Sequence, residues 1–171
     1  MINTIIEKDK PIDKTLNNPI ILNIENEVEK ATTDLNSKNK TTLGKVNSDV
    51  ANKIHQLLGI NVLNRNHVIN DNDIRHILKK HGNPKIEGEK GQLPINKNDI
   101  LNIPSIINNP DSIVRGTDNN NTKAVRYIKK YDDNISYVIE VIPENNNNLI
   151  IKTMWKKPST LANDKSLAST S

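Results

Sequence analysis

The sequence has no cysteine, no phenylalanine, one tryptophan and three tyrosines. Without cysteine there can be no disulfide, no thiolate nucleophile and no Cys-ligated zinc, although the redox compartment stays open. No apolar run approaches the length of a membrane span, and the opening Met1–Pro11 lacks the basic-then-apolar order of a secretory signal. The chain therefore reads as soluble or as delivered by other machinery. Only 34% of residues are hydrophobic and mean hydropathy is −0.64, so the folded part should be shorter than the 171-residue chain. That length suits one domain with tails.

Charge is uneven. The formal net charge is +4, but residues 1–40 hold six lysines against seven acids, so residues 41–171 carry an excess of +5. A modest excess is compatible with a polyanionic partner without requiring one.

Residues 1–46 mix Asn, Lys, Thr and acids without sustained periodicity, beyond a short helix suggested by Ile24–Lys30, and read as a flexible leader or linker. From residue 47 the pattern firms. Val50, Ile54, Leu57 and Leu58 form one stripe of a helix over Ser48–Leu58, with Gly59 as a stop. Val62-Leu63 and His67–Ile69 are short apolar pieces. Asn70 or Asp71 can cap a helix running to about Lys80, with Ile74, Ile77 and Leu78 inward and Gly82 as a left-handed end. Residues 83–96 have the Gly and Pro content of an ordered, irregular loop. A third helix is expected from Lys97 to Ile107, capped by Asn96 and broken or kinked at Pro104.

The rest reads as four strands, Ser112–Arg115, Ala124–Lys130, Ile135–Ile142 and Leu149–Trp155, joined by turns of Asn, Asp and Gly. Helices first and a meander last predict an α+β fold, with N-terminal helices packed on a C-terminal four-stranded antiparallel sheet. The expected organisation is a leader over 1–46, a folded domain over 47–157 and a disordered tail over 158–171.

Tyr127, Tyr131, Tyr137 and Trp155, all the aromatics, fall in the predicted sheet beside Arg126, Lys129, Lys130, Lys152, Lys156 and Lys157. Rings that stack on bases, interleaved with cations that hold phosphates, make a platform for single-stranded RNA. The plainer reading has Tyr and Trp in the core and Lys on the other face. Strand alternation puts Val125, Tyr127 and Lys129 on one face and Arg126, Ile128 and Lys130 on the other, and groups Leu149, Ile151, Thr153 and Trp155.

His76 and His81 share the second helix. His81 sits near its apolar face at the C-terminal end, where the dipole favours the imidazolium, and is a credible acid or base. Two histidines five apart do not make the i, i+4 pair of a helical zinc site, and no acid stands at a suitable interval, so no metal is expected. His55 and His67 read as structural.

The ordered set His67–Pro84, Glu87, Gly91–Ile95, Asp99-Ile100, Ile103–Asp111, Arg126–Lys129, Glu140-Val141 and Lys152–Trp155 resembles the phage-type barnase/EndoU/colicin/RelE-like nuclease domain over about residues 50–157. The resemblance implies helices on a four-stranded antiparallel sheet and metal-independent RNA cleavage, with no cofactor. It maps His76 and His81 onto the family's histidine-bearing helix, Lys129 onto its basic strand residue and Thr153 onto the polar residue of its last strand. Trp155 stands where the family usually has Tyr, so the ring is kept and the hydroxyl lost.

The expectation that follows is an endoribonuclease toxin. His81, His76, Lys129 and Thr153 would be catalytic, and Arg126, Tyr127, Lys152 and Trp155 would hold substrate. The partners expected are RNA and an acidic immunity protein, and the chain is expected to be a monomer that acts, after delivery, in a target-cell cytoplasm. The competing readings are a noncatalytic RNA- or protein-binding module and a structural phage protein.

Overall fold

The computed structural model of the protein describes residues 18–117 and 122–159. The expected tail over 158–171 falls almost wholly outside them, as do residues 1–17 of the expected leader.

Helix α1 (Pro19–Thr33) starts where the Asn18 side chain accepts from the amides of Ile20 and Ile21 and where proline fits the first helical position. Its inward stripe is Ile21, Ile24, Val28 and Ala31. There follow β1 (Lys40–Lys45), α2 (Ser48–Leu58), β2 (Asn66–Asn70), α3 (Asp71–His81), α4 (Pro84–Glu89), α5 (Lys97–Leu101) and α6 (Ile103–Asn108). Strands β3 (Ser112–Thr117), β4 (Lys123–Lys130), β5 (Asn134–Val141) and β6 (Asn148–Pro158) complete the described chain.

Order β1-β2-β6-β5-β4-β3 defines a six-stranded sheet in which β2 runs parallel to β6 and every other neighbouring pair is antiparallel. The fold is thus α+β as expected, but the sheet has six strands, not four, and is mixed. The two extra strands are short and half-polar, and β2 acquires its place only by lying alongside β6, some 80 residues later in sequence. Stripes from α1, α2, α3, α5 and α6 meet Tyr127, Val138, Ile151 and Met154 on one face of the sheet, forming the main core. A second, small cluster of Ala124, Ile139 and Val141, with Trp155 against it, lies on the opposite face and includes no helix residue.

The segment expected to be a flexible leader through residue 46 instead contributes α1 and β1 to this core. Arg75 of α3 fastens it, donating to the carbonyls of Ala31, Asp34 and Ser37. Polar residues dominate α1, yet four apolar positions at helical spacing suffice to bury one face.

Other local expectations fare unevenly. Gly59 ends α2, as its placement predicted, and does so in the left-handed region (φ 74°). Gly82 does not: it is right-handed, at φ −93°. Glycine is needed there for space, because a Cβ would stand 2.2 Å from the Leu78 carbonyl oxygen. Asn96 forms a capping box with Asp99, and the expected third helix divides at Asn102 into α5 and α6, with Pro104 in the first turn of the second. The 83–96 loop contains the short α4.

The strand faces also need correction. A register shift between Ile139 and Glu140, where Ile139 faces Thr153 but Glu140 faces Ile151, inserts Lys152 as an extra residue in β6. A bulge of this kind inverts the alternation beyond it. Thr153 and Trp155 therefore leave the face of Leu149 and Ile151 and join Arg126, Ile139 and Tyr137.

Candidate active site

Where α3 ends, the chain folds back on itself within fifteen residues. Asn83 caps α4, accepting from the amides of Lys85 and Ile86, and Pro84 opens the helix. Gly91, at φ 72°, turns the chain in a conformation that a side chain would strain. Gln92 then donates to the Glu87 carbonyl, Leu93 to that of Lys156 in β6, and Ile95 to that of His81. These bonds tie the end of α3 to the edge of β6 beyond the stretch that β2 covers.

Inside this fold-back, His81 Nδ1 lies 3.0 Å from a carboxylate oxygen of Glu87, whose side chain is wholly buried. Lys90 donates to the other oxygen at 3.3 Å. An ionised carboxylate only accepts, so the shared proton sits on Nδ1. Burial pushes the His81 imidazole below its ordinary value. Glu87 pulls it upward, while Lys80 and Lys90 add to the lowering. The helix-end dipole, expected to favour the imidazolium, is thus outweighed by desolvation, and the ring rests neutral at pH 7.

The His81 ring stands 6.4 Å from that of Trp155. Trp155 in turn stacks on its cross-strand partner Tyr137, with centroids 5.1 Å apart and planes within 9°. The Arg126 guanidinium lies 5.5 Å from the Trp155 ring centre and the Lys157 ammonium 5.9 Å from that of Tyr137. Such stacks and cation–π contacts contribute on the order of 1 kcal/mol each. Burial lowers the Arg126 pKa and raises that of the Tyr137 phenol, leaving the first charged and the second neutral near neutral pH. Thr153 shares this face, one cross-strand step from Ile139, which pairs with Arg126. Its hydroxyl is buried with no hydrogen-bond partner among the described residues. A neutral imidazole, a guanidinium, a hydroxyl donor and a pair of rings thus lie along one margin of the sheet.

Of the residues singled out from sequence, His81, Arg126, Thr153 and Trp155 come together here. His76 does not: it is exposed on α3, about 140° around the helix from His81. Lys129 lies on the helix-covered face, its ammonium donating to the Asn109 carbonyl at 2.8 Å. Tyr127 is wholly buried in the core, its hydroxyl on Glu140 at 2.5 Å, and so offers no surface to a base. Lys152, at the bulge, pairs with Asp73 of α3 at 3.3 Å. Trp155 already has Tyr137 against one ring face.

Two participants were named from the sequence, Glu87 within the resemblance and Tyr137 among the rings, but neither was given a role of its own in the site. Glu87, six residues after His81, fails every helical spacing rule because α3 has ended by then; only the reversal through α4 brings it back. Tyr137 was one of several aromatics, and its pairing with Trp155 depends on the bulge. Among the described residues no three His, Asp or Glu side chains gather as a metal site, and no helix is long and apolar enough to cross a membrane.

Residues 44–164 match the family model described as phage-Barnase-EndoU-ColicinE5/D-RelE like nuclease 3. No curated protein and no solved structure matches the chain.

Proposed function

This chain belongs to the phage-Barnase-EndoU-ColicinE5/D-RelE like nuclease 3 family, and from that premise we propose that it is a metal-independent endoribonuclease toxin acting through His81. The observation that carries the reading is the buried Glu87–His81 contact beside Trp155 and Arg126. It leaves a neutral imidazole with one nitrogen engaged and the other available.

In the proposed reaction His81 takes the proton of a ribose 2′-hydroxyl, whose oxygen attacks the adjacent phosphorus. The P–O5′ bond breaks and the 5′-oxygen leaves with a proton from water or a second donor, giving a 2′,3′-cyclic phosphate. Charge growing on the phosphoryl oxygens is met by Arg126, with the buried Thr153 hydroxyl behind it as a polar support on the same face. Trp155, with Tyr137 behind it, bounds the base-binding side, and Lys157 supplies a further cation. Lys129, Lys152 and His76 drop to supporting positions in this scheme, since each is turned away or engaged elsewhere. A nuclease site lined by Arg126 and Lys157 calls for an acidic immunity protein as its inhibitor and for delivery into a target cytoplasm.

The test is incubation of the protein and of His81→Ala with total bacterial RNA in EDTA, with end-group analysis of the fragments. Fragments ending in 2′,3′-cyclic phosphate, made only by the unmodified protein, are expected. Intact RNA from both folded proteins, with or without divalent metal, would overturn the enzyme in favour of a binding module.

A further inference from the structure

Resting on that reading, we propose that Glu87 is the positioning residue of His81: its carboxylate, anchored by Lys90, fixes the Nδ1–H tautomer and aims Nε2 at the substrate hydroxyl, which makes His81 the base rather than the acid.

The geometry leaves Glu87 little else to do. Its side chain is fully buried, one carboxylate oxygen meets His81 Nδ1 and the other meets Lys90. A carboxylate withdrawn from water is costly unless both oxygens are engaged, so its retention in a six-residue helix needs a reason. Structural support is a poor one, because the fold-back is already closed by the backbone bonds of Gln92, Leu93 and Ile95.

The pair is also built for one tautomer. Glu87 can only accept, so Nδ1 keeps its proton and Nε2 carries the lone pair in the neutral ring. The charged groups around the ring act in opposite senses. Glu87 favours the imidazolium, while Lys80 on the same helix and Lys90 after α4 oppose it. From β6, the neighbour is the uncharged Trp155 ring, and the ammonium of Lys156, whose carbonyl holds Leu93, is paired with Asp99 at 3.0 Å. Lys90, with 43% of its side chain exposed, is the group that can be removed without opening the interior.

The test uses the full chain labelled with ¹⁵N at histidine, with His81→Asn to assign the resonance, and compares Glu87→Gln and Lys90→Met by pH titration and by pH–rate profile on RNA. In the unmodified protein the neutral His81 ring should carry its proton on Nδ1. Glu87→Gln should move the His81 titration to lower pH and Lys90→Met to higher pH. The acidic limb of kcat/KM should move the same way in each. Glu87→Gln should also lose about 10- to 100-fold in kcat/KM at neutral pH, a fraction of what acid–base catalysis supplies.

A merely structural role would not give opposite shifts. An Nε2–H tautomer, or a His81 titration unmoved by either substitution, overturns the proposal. If Glu87→Gln does not fold, Lys90→Met decides: an upward shift supports it and no shift overturns it. Should His81→Asn still cleave RNA, the nuclease role of His81 fails, while the titrations still report on Glu87.

Discussion

The molecule holds two histidine–carboxylate pairs of the same composition in different settings. In the core, His67 of β2 meets Glu140 of β5 at 2.7 Å, both side chains wholly buried, and the Tyr127 hydroxyl donates to the second Glu140 oxygen. At the margin, His81 meets Glu87 at 3.0 Å, with 8% of the histidine side chain exposed and a lysine on the second oxygen. The inner pair reaches across β6 to join β2, β5 and β4, and it lies beside the bulge that sets the phase of β6. The outer pair joins only the end of α3 to the short helix α4 that follows it. The difference teaches that a histidine and a carboxylate are not a site by virtue of their chemistry. Sealed between strands, the pair enforces register; at the edge of a strand, beside a cation and a ring, the same pair can meet a substrate.

The largest test of that contrast is His81→Ala. It should lower cleavage per folded molecule by roughly 100- to 10,000-fold, as general acid–base catalysis would supply, a loss far larger than the stability it costs by stripping the buried Glu87 of a partner. Glu140→Ala should do the reverse. Removing the carboxyl leaves the buried His67 Nδ1 and Tyr127 hydroxyl without partners, about 1–3 kcal/mol for each, read as a lowered midpoint in urea, while cleavage per folded molecule persists.

Tyr127 makes a pH-dependent version of the same point. Burial, with Glu140 beside it, raises its phenol well above the ordinary value of 10.0. The stability this gives is fully present below the unfolded pKa of 10.0 and is lost as pH rises through the folded value. Alkaline unfolding should therefore be steeper for the unmodified protein than for Tyr127→Phe. At the margin the sign is opposite: the folded His81 pKa lies below the ordinary imidazole value of 6.5. Its contribution is present above 6.5 and falls away as pH drops through the folded value, so acid unfolding should be milder for His81→Asn.

The smallest expected effect is that of Lys129→Met. With its ammonium on the Asn109 carbonyl, away from the Arg126 face, it should leave cleavage within about threefold and cost a hydrogen bond's ~1 kcal/mol of stability. Arg126→Met, by contrast, should lower cleavage strongly. A large loss from Lys129→Met would return that residue to the chemistry.

Much of the frame could be read directly. Helix α2 falls on Ser48–Leu58 as its stripe and Gly59 require, and the last four strands lie where alternation and turn residues put them, because those signals are local. The leader was misread because α1 owes its stability to packing on α3 and β1 rather than to its own composition. His81 was legible from its place at the end of an amphipathic helix. Glu87 was not, since its relation to His81 is made by a chain reversal that no periodicity describes.

Alone, the sequence determined the α+β class, the position of His81 and the gathering of aromatics and cations on the C-terminal strands, which follow from short-range pattern, and the family, which follows from the order of motifs along the chain. Tertiary structure decided which of those cations and rings share a face. One inserted residue at Lys152 turns Trp155 and Thr153 toward Arg126, and the pairing of distant β2 with β6 seals His67 while leaving the far end of β6 to His81. A period-two pattern carries no record of its own interruption, and the partner of a strand is chosen by burial across the whole chain.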